Sequence, residues 1–229
     1  MTELTFERFI PTTRSREAFD VAKAFAGCDP DAPRLLALRG RPGVGKSHLM
    51  HAIAAADASR CHVVVTTAAQ LADLLVAAVR DDSLELLRRR YKAGDLLMVE
   101  DLQVLSTKPA TQQLLASLLT TWIAAGVRVA VTIGAPRRWL ADFENGIPSA
   151  PISRVVLLQP PSRRDTRAII LAMAKRTGVS VEREGIDAIA AWCAGDVRRA
   201  VGAIQQLKFG RVFELERERA NKEPNVNTD

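Results

Sequence analysis

The sequence predicts an α/β fold in which a five-stranded parallel sheet is flanked by helices and followed by a small all-α domain. Five short apolar segments alternate with segments of helical spacing as far as Pro160, and this alternation is typical of right-handed crossovers between parallel strands. Beyond Pro161 only helical spacing remains. A glycine-rich loop joins the first predicted strand to a helix, as in phosphate-binding α/β proteins.

Composition is compatible with a folded core and with a polyanionic partner. The chain has 229 residues, of which 48% are hydrophobic, enough for one domain or for a large domain with a small satellite. The net charge of +6 suits contact with nucleic acid, but an arginine-rich surface without special function fits as well. We expect an α/β domain at 1–160, a helical domain at 161–212 and a charged tail at 213–229 whose end is disordered.

Localisation is predicted from three features of the chain. Its cysteines, Cys28, Cys61 and Cys193, have no metal-ligand spacing, which indicates idle thiols in a reducing compartment. The first residues lack the basic and apolar regions of a signal peptide. No apolar run approaches the roughly 20 residues needed to span a bilayer. We therefore expect a cytoplasmic protein without a membrane span.

The elements follow from short apolar runs and from helical spacing. The first helix is predicted at 15–26, with Ala18, Val21, Ala22 and Phe25 on one face. A β-branched run at 62–67 predicts a buried second strand. The remaining strands are predicted at 35–38, 95–101, 127–133 and 154–158, and the remaining helices at 47–54, 68–79, 84–91, 109–125, 162–177, 182–193 and 196–209. The stretch 142–151 should be a loop because it contains Gly146, Pro148 and Pro151.

Two of these helices carry patterns that bear on packing and binding. In the helix at 68–79, Leu71, Leu74, Leu75 and Val79 fall on one side. The helix at 84–91 carries three consecutive arginines at 88–90. These arginines could contact a phosphate backbone, but a solvated helix face is the interpretation that such a run favours.

The glycine loop has the pattern G-x-x-x-x-G-K-[ST]. Its residues are Gly40, Arg41, Pro42, Gly43, Val44, Gly45, Lys46 and Ser47, with His48 following in the helix. Backbone N–H groups of such a loop cradle phosphates, the lysine reaches the β- and γ-phosphates, and the hydroxyl ligates Mg²⁺. The pattern predicts ATP or ADP with Mg²⁺ as cofactors. The alternative is a flexible loop that happens to contain a lysine.

A pair of acids ends the third predicted strand. Glu100 and Asp101 follow four apolar residues, and in phosphate-loop nucleotidases an acid at this place holds Mg²⁺ while its neighbour can orient the attacking water. We assign the metal-side role to Glu100, together with Ser47, and the water-side role to Asp101. The alternative is that both are ordinary carboxylates at a strand end.

Longer stretches resemble the AAA+ ATPase module of the DnaA/Hda family of bacterial replication proteins. The resemblance covers roughly residues 4–208 and is carried by the segments 4–9, 45–53, 91–103, 111–113, 159–161, 165–171 and 196–204. The His-Leu-x-His-Ala continuation of the glycine loop at 48–52 is much more restrictive than the glycine loop itself. The resemblance implies an AAA+ phosphate-loop domain followed by a helical lid domain.

The resemblance also implies roles for two distant arginines. Arg198 matches the sensor arginine of the lid domain, which reaches back to the nucleotide phosphates. Arg154 matches the arginine finger that enters the nucleotide site of a neighbouring subunit. The implied partner is another AAA+ protein, namely the replication initiator, with self-association as a further alternative.

Three positions depart from the family pattern. The acid at 100 is glutamate where related initiators have aspartate, and the polar sensor residue expected after the fourth strand is Gly134. A second arginine expected four residues before the finger is Ala150. We therefore expect weak or partner-stimulated ATPase activity, and we do not expect a normal initiator filament.

The resemblance is to one part of a larger initiator. The chain has no counterpart of a helix-turn-helix domain, so we expect no sequence-specific reading of duplex DNA, and residues 1–5 lack a sliding-clamp motif. The predicted function is a nucleotide-dependent AAA+ protein acting in initiation, or regulation of initiation, of bacterial DNA replication. The alternative is a helicase-loader-like factor or an accessory factor that binds single-stranded DNA weakly.

Overall fold

The computed structural model describes residues 4–27, 32–92, 95–134 and 153–209. The chain divides into two compact units, Met1–Gln159 and Pro160–Asp229. Several expectations concern residues outside the described ranges: the loop at 142–151, the departure at Ala150, the tail at 213–229 and Cys28.

The first unit is built on a parallel sheet. Its strands in the described residues are β1 (Leu35–Arg39), β2 (Val63–Thr67), β3 (Leu96–Glu100), β4 (Arg128–Ile133) and β5 (Ser153–Leu157). Their order across the sheet is β2-β3-β4-β1-β5, and every neighbouring pair is parallel. The predicted five-stranded parallel sheet flanked by helices is confirmed.

Five α-helices accompany the sheet in the described part of this unit. They are α1 (Arg16–Ala26), α2 (Lys46–Asp57), α3 (Ala68–Arg80), α4 (Leu84–Lys92) and α5 (Pro109–Ala124). The start of α3 is fixed by a capping box, because the Thr67 hydroxyl accepts from the Gln70 N–H and the Gln70 side chain accepts from the Thr67 N–H. A short 3₁₀ helix, Leu102–Leu105, follows β3 and was not predicted.

Successive side chains of each strand lie on opposite faces of the sheet, so the core of this unit has two parts. Leu36, Leu38 and Met98 pack with α1 and α2 in one cluster. Leu35, Leu97 and Val99, one residue along, pack with α3, α4 and α5 in another cluster. This period of two is what a parallel sheet buried on both faces requires. The helices thus cover both faces and leave the strand ends to form a site.

One packing prediction was wrong. The strand β2 was expected to be buried, yet it lies at the edge of the sheet, where Val65 is 47% exposed. Its β-branched run favours a strand, but such a run does not indicate whether that strand lies at the edge or in the centre of the sheet, because β-propensity depends on the surroundings of each side chain. On α3, Leu71 and Leu75 are buried but Val79 is 59% exposed, and on α1 Val21 is only half-buried.

The second unit contains three described helices. These are α6 (Arg163–Thr177), α7 (Arg183–Cys193) and α8 (Val197–Lys208). The start of α6 is a capping box between Ser162 and Asp165. Ile170, Ile189 and Ile204, one from each helix, are buried in a core of their own. Burial raises the pKa of the Cys193 thiol to about 11, so this thiol stays protonated near neutral pH and is unreactive.

Among the described residues, no helix combines the length and apolar character needed to cross a bilayer.

Candidate functional site

The glycine loop lies between the carboxyl ends of three strands. It directly follows β1, and the Gly40 N–H donates to the Ile133 carbonyl at the end of β4. A Cβ on Gly40 would lie 2.5 Å from the Leu158 carbonyl oxygen and 2.9 Å from Val44 Cγ2. Only glycine fits such an approach without a shift of the backbone. The chain just beyond β5 therefore forms one wall of the loop.

Two further glycines give the loop its curvature. Gly43 has φ 81° and Gly45 has φ 107°, which is the left-handed region that glycine enters without steric cost. Turns of this kind bring successive backbone N–H groups together into a concave anion-binding surface. Of the remaining loop residues, Val44 is buried and Pro42 is exposed.

Lys46 brings its ammonium group back into the loop. It is the first residue of α2 and is only 8% exposed. Its Nζ donates to the carbonyl oxygens of Gly40, at 2.8 Å, and Arg41, at 3.1 Å. The positive end of the α2 dipole and this ammonium thus lie at the same place, an arrangement that favours a bound anion such as phosphate.

Glu100 ends β3 next to the first turns of α2. Its Oε1 is buried, has no hydrogen-bond partner among the described residues, and lies 3.9 Å from His51 Nε2. Ser47 precedes His51 by one helical turn, so both side chains lie on the same face of α2. A hydroxyl and a buried carboxylate oxygen without a partner are the hard oxygen donors that Mg²⁺ takes together with phosphate. These two residues therefore fit a magnesium ion.

Asp101 adopts a backbone conformation that is uncommon for a residue with a side chain. Its φ is 60°, in the left-handed region that aspartate tolerates better than most residues. Its N–H donates to the buried Thr132 hydroxyl at 2.9 Å. Its carboxylate Oδ1 accepts from Gln103 Nε2 at 2.8 Å. Asp101 is therefore held at both its backbone and its side chain.

Sequence reasoning missed Gln103 and Thr132. Gln103 belongs to the unpredicted 3₁₀ helix, and its Oε1 accepts from the Gly134 N–H at 2.7 Å. Thr132 is a polar residue near the carboxyl end of a strand whose other residues after Arg128 are apolar, and that position was the signal that could have identified it. Gly134, which has no side chain to contact a ligand, thus has the amide of Gln103 beside it.

Sequence reasoning also missed contacts of the N-terminal segment with the loop. His48 Nε2 lies 2.9 Å from the Thr5 carbonyl, and since a carbonyl only accepts, the histidine donates. The Phe9 ring packs edge-on against the His48 ring with 5.2 Å between centroids. A Cβ on Gly45 would lie 3.0 Å from Phe9. The segment thus packs against the start of α2.

Arg154 is not brought to the glycine loop of its own chain. It pairs with Leu36 across β1 and β5, three residues before Leu157, which pairs with Arg39. Three strand residues correspond to about 10 Å along the strand. Its Nη2 donates to Glu17 Oε1 of α1 at 3.0 Å, and both side chains are more than half exposed.

Arg198 lies in the second unit, in the first turn of α8. Asp196 caps this helix, with its carboxylate accepting from the Arg198 N–H at 2.9 Å. The Arg198 side chain is exposed.

The first unit brings together one part of the predicted site residues, namely the glycine loop, Lys46, Ser47, Glu100 and Asp101.

Comparison with known proteins gives a family match and a shared fold. The family model described as the bacterial DnaA ATPase domain matches residues 1–150. The chain is 25% identical over 207 residues to the chromosomal replication initiator protein DnaA of Thermomicrobium roseum, covering 89% of this chain and 44% of that protein. It is 26% identical over 221 residues to the DnaA of Thermus thermophilus, covering 94% and 51%. The chain thus spans about half the length of these relatives.

Solved structures share the fold over nearly the whole chain. Domain III of the Thermotoga maritima initiation protein DnaA superposes with a TM-score of 0.78 at 22% identity, covering 99% of this chain and 93% of that one. The AMPPCP-bound DnaA from Aquifex aeolicus superposes with a TM-score of 0.77 at 23% identity, covering 97% and 70%. Together with the family match over residues 1–150, this establishes that the chain belongs to the bacterial DnaA ATPase domain family and has the AAA+ fold.

Proposed function

We propose that this chain is an ATP- or ADP-binding AAA+ switch protein of the DnaA/Hda type that acts in initiation, or regulation of initiation, of bacterial DNA replication. The observation that carries the proposal is the glycine loop at the start of α2, in which the buried Lys46 ammonium lies beside the Gly40 and Arg41 carbonyls. Phosphates would replace these carbonyls as partners of the ammonium. Ser47 and Glu100 would hold Mg²⁺, which neutralises charge on the phosphates.

The nucleotide state would be transmitted by the two arginines. Arg198, exposed in the first turn of α8, would reach the phosphates as the sensor of the helical unit. Arg154, about 10 Å back along β5 from the end that carries the loop, would act in trans on the nucleotide of a second AAA+ protein. The proposed partner is the replication initiator, and the ATPase activity of the chain alone is weak.

The structural relatives support nucleotide binding. One solved relative is described as AMPPCP-bound DnaA, and another as DnaA bound to AMPPCP and single-stranded DNA. The glycine loop of this chain is evidence for nucleotide binding that does not depend on those relatives. The ligand would be a nucleoside di- or triphosphate, because Lys46, Glu100 and Asp101 would all act at its terminal phosphates.

Single-stranded DNA binding is a second candidate function. It is favoured by the relative solved with single-stranded DNA, which superposes with a TM-score of 0.78, and by the exposed Arg89 and Arg90 on α4. Arg89 is paired with Glu85 at 3.4 Å, which reduces the charge available to a phosphate backbone. Contact with the backbone alone would make affinity fall steeply with salt.

The test compares wild type with Lys46→Ala. A fluorescent ATP analogue with Mg²⁺ should bind wild type and raise its free energy of unfolding, by about 2.7 kcal/mol at a hundredfold excess over Kd. Lys46→Ala should lose this binding, whereas Lys23→Ala, which removes an exposed lysine of α1, should keep it. Equal binding by all three proteins would contradict the proposal.

The same proteins should then be titrated with an oligo-dT strand at two salt concentrations. Measurable affinity that falls steeply with salt in both wild type and Lys46→Ala would favour DNA binding as an activity separate from the glycine loop. Absence of binding at low salt would eliminate that candidate.

A further inference from the structure

The side chain of Gln103 bridges the ends of two neighbouring strands. Its Oε1 accepts from the Gly134 N–H, beyond β4, at 2.7 Å. Its Nε2 donates to Asp101 Oδ1, beyond β3, at 2.8 Å. A backbone N–H can only donate and a carboxylate can only accept, so these partners fix the orientation of the amide. Neither a carboxylate nor an apolar group could make both bonds.

Gly134 and Gln103 share one small space. A Cβ on residue 134 would lie 3.1 Å from Gln103 Nε2 and 3.2 Å from its Cδ. These distances are tight enough that the amide would have to move. Glycine at position 134 thus leaves room for the Gln103 amide, which a Cβ there would displace by a few tenths of an ångström.

Asp101 has a left-handed backbone conformation, with φ 60°, that is uncommon for a residue with a side chain. A left-handed residue with a side chain persists only where its surroundings hold it in place. The Thr132 hydroxyl fixes the Asp101 N–H, but that bond leaves the rotation of the side chain undetermined. The Gln103 amide fixes one carboxylate oxygen, and through it the direction of the other.

We propose that Gln103 is a positioning residue for ATP hydrolysis: held by the Gly134 N–H, it orients the Asp101 carboxylate toward the attacking water. This inference rests on the proposed function. In the reaction, the water oxygen forms a bond to the γ-phosphorus while the bond from that phosphorus to the β–γ bridging oxygen breaks. ADP leaves with the electron pair, and the water protons pass to the products. Gln103 acts only through Asp101.

Single-turnover hydrolysis of MgATP and equilibrium binding of a fluorescent ATP analogue separate positioning from binding. Gln103→Leu removes both hydrogen bonds, and Gln103→Glu keeps an acceptor for Gly134 while placing a carboxylate against Asp101. Both should slow hydrolysis about 10- to 100-fold, the scale of a small misplacement of a catalytic group, with Kd changed less than about threefold. Gly134→Ala, whose Cβ displaces the amide, should slow hydrolysis by a smaller factor.

Gln112→Leu is the matched control. Gln112 Nε2 donates to the Leu105 carbonyl at 2.6 Å, so this variant removes a glutamine hydrogen bond to the same 3₁₀ helix without touching Asp101. It should hydrolyse ATP at the wild-type rate. Wild-type rates in both Gln103 variants would overturn the inference, as would equal slowing in Gln112→Leu or slowing that merely follows loss of binding.

The outcomes also separate this inference from the proposed function. A wild-type protein that binds MgATP through Lys46 but does not hydrolyse it would overturn the role of Gln103 and leave nucleotide binding intact. Binding that survives Lys46→Ala would instead overturn the proposed function itself.

Discussion

At the residue scale, Gly40 shows how little room the glycine loop leaves. Two different neighbours limit it: the Leu158 carbonyl oxygen, 2.5 Å from the place of a Cβ, and Val44 Cγ2, 2.9 Å from it. One is backbone and the other is a β-branched side chain with little rotational freedom. Neither can yield without moving an element to which it belongs.

Gly40→Ala is therefore expected to lower the free energy of unfolding by about 1–3 kcal/mol, the usual cost of overpacking a tight site. Urea unfolding of the nucleotide-free protein would measure it. The matched control is Gly27→Ala at the end of α1, where φ is −70° and a Cβ would meet only ordinary contacts at 3.5 Å. A Gly40 variant as stable as the Gly27 variant would contradict this account of the loop.

Some functional residues could be predicted from sequence and others could not. The loop glycines, Lys46 and the acids at 100 and 101 were identified because a motif of adjacent residues carries their chemistry. Gln103 was not, because its importance depends on Gly134, which is 31 positions away and becomes a neighbour only when β3 and β4 pair. Gly134 itself was noticed, but only for the side chain it lacks.

At the element scale, Arg128 joins three elements on one face of the sheet. At the start of β4, its Nη1 donates to the Phe25 carbonyl of α1 at 2.8 Å, and its Nη2 donates to Asp57 Oδ2 of α2 at 2.9 Å. The guanidinium also lies over the Phe25 ring, 5.5 Å from its centroid. Asp57 is fully buried, and this arginine is its ion-pair partner.

Arg128→Ala is expected to lower the free energy of unfolding by about 3–5 kcal/mol, because it leaves a buried carboxylate without its partner. Denaturant unfolding would measure the change. The double variant Arg128→Met with Asp57→Leu should recover much of the loss, since removing both charges removes the penalty for burying one.

The control for this prediction is an exposed ion pair. Arg89→Ala breaks a surface contact with Glu85 on α4 and should cost about 0.5 kcal/mol or less. A loss of similar size for Arg89 and Arg128 would contradict the view that burial of Asp57 sets the cost.

Most elements could be predicted, because helical spacing and short apolar runs are local properties of the sequence. The order of the strands in the sheet is not local, and this explains the error at β2. The run at 62–67 has the composition of a central strand, but β2 lies at an edge with Val65 47% exposed. Val79 is likewise 59% exposed, because helical spacing defines the side of α3 on which a residue lies but not how far neighbouring elements cover that side.

At the scale of the whole molecule, the position of Arg154 bears on how two AAA+ proteins would act together. Within its own chain it lies on an edge strand, paired with Glu17 of α1. It is about 10 Å back along the strand from the end that carries the glycine loop. This position is compatible with the proposed role of Arg154 in trans.

Wild-type protein should stimulate the ATP hydrolysis of the cognate initiator. Arg154→Ala should abolish this stimulation while leaving MgATP binding by this chain unchanged. A trans-acting arginine contributes about 10³- to 10⁵-fold to phosphoryl transfer, so the loss should be nearly complete in a multiple-turnover assay of the mixture. Loss of MgATP binding by the Arg154 variant itself would instead place the arginine in its own site.

The matched control is Glu17→Ala. This variant breaks the same ion pair but keeps Arg154, so stimulation should persist. Equal loss in both variants would indicate that the pair stabilises the edge of the sheet rather than acting on a partner.

The sheet order also determines when the glycine loop can take its shape during synthesis. Gly40 is made early, but the Leu158 carbonyl that confines it lies after β5, the last strand of the sheet in the described chain and a direct neighbour of β1. A nascent chain that has emerged only as far as β4 has no wall on that side of the loop. The mature form of the loop therefore belongs to a chain whose synthesis has already passed Leu158.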